Sequence, residues 1–198
     1  MPDSLRPPWQ ILIFGPQAVG KMTVGRELAR LTGARLLYNH MLIDLLTEFF
    51  PFGTPHFERL LEETRHRIAE EAADAGVNFI LTGAWAFDDP SVQRIVERWL
   101  AAIEARGASF GFVELRAPLE VRLDRNRSEL RRASKKLDWA TDEAVTELAK
   151  AHRWTSDGAF PFPEHHLVIE NSEIAPVEAA AHIARHFDLE MIDETVEG

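Results

Sequence analysis

Trp9-Gln10-Ile11-Leu12-Ile13-Phe14 runs directly into Gly15-Pro16-Gln17-Ala18-Val19-Gly20-Lys21-Met22-Thr23, and VGRELARLTG, residues 24–33, follows at once. The first six residues make an apolar run of strand length, and the last ten have the pattern of a helix stopped by Gly33. A glycine-rich turn between a strand and a helix binds anions. Gly15 and Gly20 let successive backbone N–H groups curve around oxygens, the helix offers its positive N-terminus, and Lys21 reaches β- and γ-phosphates. This stretch therefore predicts a nucleoside triphosphate site, with Gly15, Pro16, Ala18, Val19, Gly20, Lys21, Met22 and Thr23 around the phosphates. One position departs from the usual pattern: Met22 stands where Ser or Thr would ligate Mg²⁺, and a thioether is a poor ligand for that hard cation. Thr23 supplies a hydroxyl one residue later, about 100° further round the helix.

Working outward, apolar runs alternate with helical patterns, as in a parallel sheet wrapped by helices. Strands are expected at about 9–14, 35–38, 77–82, 109–115 and 166–170, and helices at about 20–32, 41–50, 56–75, 91–105, from 118 into the basic segment, 141–154 and from about 176 to 187. Five strands with crossover helices predict a three-layer, doubly wound α/β fold. At 198 residues, a single domain is expected, with a lid insertion at about 122–140. No internal repeat or low-complexity block interrupts it.

Composition narrows the function classes. There is no cysteine, which rules out disulfides and thiolate metal sites and is compatible with a reducing cytoplasm. No apolar run approaches membrane-spanning length, so the expectation is a cytoplasmic protein without a membrane partner. Its net charge of −10, from 22 Lys plus Arg against 32 Asp plus Glu, argues against a nucleic-acid partner. The exception is local: Arg122, Arg125, Arg127, Arg131, Arg132, Lys135 and Lys136 crowd one short window with only Asp124 and Glu129 among them. A cationic stretch on an acidic chain points to a local anion.

Several side chains fall near the carboxyl edge of the sheet, where open α/β folds bind ligands. Asn39 and His40 follow the second strand. A neutral imidazole at His40 can accept a proton from an acceptor hydroxyl, or the residue can simply cap or pack the next helix. Asp44, one turn later, can orient that ring or take the proton itself. Asp88 and Asp89 follow the third strand: Asp89 suits a helix N-cap, and Asp88 either caps or holds Mg²⁺ through water. Trp85 and Phe87 form either an aromatic wall beside a planar acceptor or core filling. His182 and His186 have the i, i+4 spacing of a metal chelate, and His165-His166 opens a strand; neither pair has the accompanying ligands of a metal site. No G-x-S-x-G elbow is present.

The stretch GKMTVGRELA resembles the opening of shikimate kinase and its relatives. RLDRNRSELRRASKK, from Arg122, resembles the arginine-bearing lid of nucleoside monophosphate and shikimate kinases, and HLVIENSEIAPVEAAAHIARHF, from His166, is similar to their last strand, Pro-containing loop and final helix. LTGAW at 81–85 falls where such kinases carry a glycine-rich substrate loop. The resemblance implies ATP and Mg²⁺ as cofactors, a base-proximal loop at Asn171 to Pro176, and lid arginines, Arg125 and Arg131, whose planar donors match phosphate. A solvated basic helix face is the alternative for that segment.

Two departures stand out. The family's Asp-x-Asp pair after strand two is here Tyr38-Asn39-His40 with Asp44 later, and its triple glycine is Gly83-Ala84-Trp85, which moves the expected acceptor away from shikimate. More broadly the chain resembles a group of uncharacterised P-loop proteins with an Asn-His pair after strand two.

These features converge on an ATP-dependent phosphotransferase acting on a small-molecule hydroxyl or phosphate. Lys21, Arg125, Arg131, His40 and Asp44 are its catalytic candidates, Asn39, His40, Trp85 and Phe87 its acceptor contacts, and Thr23 and Asp88 its metal contacts. The alternative is a nucleotide-binding switch working through a protein partner. A monomer or a homodimer fits either.

Overall fold

The computed structural model describes residues 7–128 and 141–192, so Arg131 and most of the expected lid insertion lie outside the described residues. Five parallel strands build the sheet: β1 Trp9–Phe14, β2 Arg35–Leu37, β3 Phe79–Thr82, β4 Ser109–Arg116 and β5 His166–Glu170, in the order β2-β3-β1-β4-β5. The helices are α1 Lys21–Thr32, α2 Asn39–Thr47, α3 Pro55–Asp74, α4 Pro90–Glu104, α5 Leu119–Asn126, α6 Asp142–Ala151 and α7 Pro176–His186. This is the α/β architecture the alternating pattern predicts.

Every residue of β1 is buried, so its alternating side chains feed two cores. Ile11 and Ile13 join Val24 and Leu28 of α1 and Ile183 of α7 on one face. Leu12 and Phe14 join Phe57 and Leu61 of α3, and Trp99 of α4, on the other. One polar side chain enters this central strand and is hydrogen-bonded through both its nitrogen and its oxygen. Gln10 donates to the carbonyl of Ala69 at 2.7 Å and accepts from Trp99 Nε1 at 3.1 Å, tying α3 and α4 to the sheet.

Several expected boundaries shift: α2 ends at Thr47 and α6 at Ala151, each three residues early, and two starts move for a local reason. β3 begins at Phe79 rather than Val77, because the Val77 N–H closes the end of α3 on the Ala72 carbonyl at 2.8 Å and the Asn78 carbonyl accepts from Arg35 N at 2.9 Å. α2 begins at Asn39, two residues before the expected start, with extended Tyr38 as its N-cap.

Candidate functional site

The loop from Gly15 to Gly20 leaves β1 at the centre of the sheet's carboxyl edge. Its backbone enters the left-handed region three times, at Gly15 (φ 139°), Ala18 (φ 63°) and Gly20 (φ 106°), which curls successive N–H groups inward. Only glycine fits at position 15, where a Cβ would collide with the carbonyl oxygen of Leu115 on β4. Lys21 opens α1 and turns its ammonium back over the loop, donating to the carbonyls of Gly15 and Pro16, both at 2.7 Å.

Above this loop lies a cavity of about 590 Å³, a size that accepts a small molecule. Its floor is Gln17 to Val24. One end is formed by Arg125, Ser128, Asn171, Ile174 and Pro176, and the other by Tyr38, Asn39, His40, Ile43 and Phe52. Thr82 and Ala84 at the end of β3, with Leu148 and Trp154 from α6 and its exit, complete the wall.

Ala18, Val19, Gly20, Lys21, Met22, Thr23, Asn39, His40, Arg125, Asn171 and Pro176 all line this one cavity, while Gly15 and Pro16 do not line it and accept from Lys21 through their carbonyls. The role expected of Arg125 changes. Its donors engage protein carbonyls: Val19 at 3.1 Å, Asn171 at 2.6 Å and Ser172 at 3.2 Å. Asn171 Nδ2 donates to the same Val19 carbonyl at 2.7 Å. Arg125 thus fixes the loop after β5 against the phosphate loop, which leaves its fork on carbonyls rather than aimed at a phosphate. Arg122, expected only as part of a basic run, is buried behind the loop and donates to the carbonyls of Ala117 and Gln17, each at 3.2 Å; burial lowers its pKa.

Three expectations are corrected. Trp85 is 2% exposed and packs among Phe14, Phe87, Phe112 and Phe160, so it fills the core and does not line the cavity. Phe87 is stacked on it at 5.3 Å, and its N–H donates to the Arg153 carbonyl. Asp88 is likewise away from the cavity: its carboxylate accepts from Arg153 N at 3.2 Å and meets His152 Nδ1 at 3.3 Å, fastening the segment after α6. Asp89 is the N-cap of α4, accepting from Ser91 N at 2.9 Å. Asp44 lies half-buried one turn beyond His40, behind the lining residues; its Oδ1 and the Nδ1 of His40 are both shielded from solvent.

Arg65 is the residue the sequence reading missed. It reaches from α3 and donates through Nη2 to Asn39 Oδ1, while the Asn39 N–H donates to Thr82 Oγ1 at 3.0 Å. Burial lowers this guanidinium to about 10, against the opposing pull of Glu58. A signal was available: Phe57, Leu61, Ala69 and Ala73 are the buried stripe of α3 at intervals of four, and Arg65 stands in the middle of it.

These residues do not fit a protein-held Mg²⁺. The described lining residues include no carboxylate, and no group of three His, Asp or Glu that would hold a metal occurs among the described residues. Thr23 offers one hydroxyl beside Met22, whereas Mg²⁺ in kinase sites is held through one or two carboxylates together with substrate phosphates.

No protein-family model matches the sequence, and no curated protein matches it. Solved structures do resemble it in fold. A sugar kinase from Janibacter sp. HTCC2649 superposes with a TM-score of 0.61 at 17% identity, over 92% of this chain and 96% of that one. Shikimate kinase from Acinetobacter baumannii, solved with shikimate, gives 0.55 at 21% identity, over 90% and 92%. The Mycobacterium tuberculosis APS kinase, solved with AMPPNP and APS, gives 0.56 at 15% identity, over 91% and 98%. The chain thus has the fold of P-loop small-molecule kinases, and at these identities the likeness establishes the fold alone.

Proposed function

We propose that the protein is a phosphotransferase that moves the γ-phosphoryl group of ATP to a hydroxyl or phosphate of a small molecule. One observation carries this reading: the left-handed loop with Lys21 opens into a single cavity that has two chemically different ends. At the end formed by Arg125, Asn171 and Pro176, the apolar Ile174 and Pro176 stand beside an Arg125–Asn171 pair fixed by hydrogen bonds, which suits a nucleotide base. The end at Tyr38 and His40 suits the acceptor, and Asn39 stands between that end and the phosphate loop, its N–H on Thr82, which pairs with Ile13 of β1.

In this arrangement the acceptor oxygen forms a bond to the γ-phosphorus as the bond to the β–γ bridging oxygen breaks, and ADP leaves with that electron pair. Loop amides and Lys21 neutralise charge on the transferred group. The proton of an acceptor hydroxyl passes to the His40 imidazole and then to solvent. Arg125, Asn171 and Arg122 hold the loop in the shape this requires.

The test is ATP consumption across a panel of nucleosides, nucleotides, sugars and antibiotics, with Lys21→Ala as the blank. A stimulating acceptor is expected, with turnover falling about 100-fold or more in His40→Gln. Tight ATP binding with no acceptor stimulation anywhere in the panel would instead favour a nucleotide switch acting through a protein partner. Met22 and the lack of a carboxylate among the described lining residues are the features that reading would explain.

A further inference from the structure

We propose that this cavity binds its nucleotide polyphosphate through an all-donor set that includes Asn39, so that affinity does not depend on a divalent cation. The inference rests on the nucleotide-site reading above.

The argument begins at Asn39. A carboxamide has one acceptor oxygen and two N–H donors, whereas a guanidinium only donates. Because Arg65 donates to Oδ1 of Asn39, the orientation of the amide is decided: its oxygen is turned to α3, and its NH₂ group is left for the cavity that Asn39 lines. The backbone of Asn39 is held as well, through Thr82 Oγ1 at 3.0 Å. The position just after β2 therefore presents hydrogen-bond donors in place of a metal-ligating oxygen.

The phosphate-loop side of the cavity adds further donors to an otherwise largely apolar lining. Lys21 and the loop from Ala18 to Gly20 present an ammonium and backbone N–H groups, and no carboxylate occurs among the described lining residues. Asp88, the carboxylate among the two metal contacts expected from the sequence, is committed to Arg153 and His152. An Mg²⁺ ion placed here would meet Thr23 and the polyphosphate, with cationic and N–H groups around them. The same phosphate oxygens are served directly by those donors, and charge-assisted hydrogen bonds to anions are the strong ones. Arg65 acts through Asn39 and is a positioning residue.

The experiment is calorimetric titration of the full chain with ADP, in excess Mg²⁺ and separately in EDTA, for wild type, Asn39→Asp, Asn39→Ser and Arg65→Lys. For wild type the two dissociation constants are expected to agree within about 3-fold. Asn39→Asp replaces donors with a negative charge, so its metal-free affinity is expected to fall about 10-fold or more and to recover with Mg²⁺. Asn39→Ser should weaken binding equally in both conditions, and Arg65→Lys should lie between wild type and Asn39→Ser. Wild-type affinity that collapses in EDTA would overturn the inference and leave the phosphotransferase reading standing. No ADP binding in either condition would overturn both.

Discussion

Glu114 is the charge whose surroundings are most fully determined. It is fully buried on β4, where its Oε1 accepts from Arg116 Nε at 2.6 Å and Ser156 N at 3.2 Å, and its Oε2 lies 3.2 Å from His166 Nε2. The His166 approach is close but off the hydrogen-bonding direction, so Arg116 and Ser156 carry the geometry. Burial opposes the charge; the interactions with His166, Arg116 and Ser156 together outweigh it and hold the carboxyl at about 2, against an ordinary 4.5. A depressed folded-state pKa stabilises above the unfolded value, so this contribution is complete above about 4.5 and is lost as pH falls toward 2. The displacement corresponds to about 3 kcal/mol. Denaturant unfolding of wild type and Glu114→Gln should differ by roughly that amount at neutral pH, with the gap narrowing steadily through the acid window. A gap independent of pH would mean that the carboxylate contributes by shape and hydrogen bonding rather than by charge.

At the scale of the element, neighbouring aspartates after β3 have separate roles. Asp89 caps α4 through Ser91, and Asp88 fastens the chain leaving α6. Asp89→Ala should cost about 1 kcal/mol in unfolding experiments, and Asp88→Asn should leave ADP affinity unaltered; weakened ADP binding in Asp88→Asn would return that residue to the site. The same loop marks how far sequence reading goes. The five strands were legible because β1 and its neighbours are continuous apolar runs, and the phosphate loop because glycine spacing is a local property. Asp89 was legible for the same reason, since a cap is made within a few residues. Trp85 was left open because its surroundings, Phe14, Phe112 and Phe160, come from three distant segments. Arg125 was misjudged in role because its acceptors, Val19 and Asn171, lie far off along the chain. Arg65 was missed although its place on the buried stripe of α3 could be counted from the sequence.

Across the whole molecule, the cavity is where separate parts of the chain meet. Its floor belongs to the β1–α1 loop, one end to α5 and the loop after β5, and the other to the start of α2. Arg125 and Asn171 already join two of these through the Val19 carbonyl. A bound nucleotide would add links among all three, and the acidic chain, with a net charge of −10, offers it a local exception in Lys21 and the loop amides. A ligand that binds only the folded state stabilises it by mass action, by about 2.7 kcal/mol at a hundred times its dissociation constant. For a chain of 198 residues that predicts a rise of roughly 5–10 °C in the thermal midpoint with ADP. The rise should be absent in Lys21→Ala and, on the donor-set argument, as large in EDTA as in Mg²⁺. A rise confined to Mg²⁺ would locate the stabilisation in a metal complex, and an equal rise in Lys21→Ala would place ADP somewhere other than the phosphate loop.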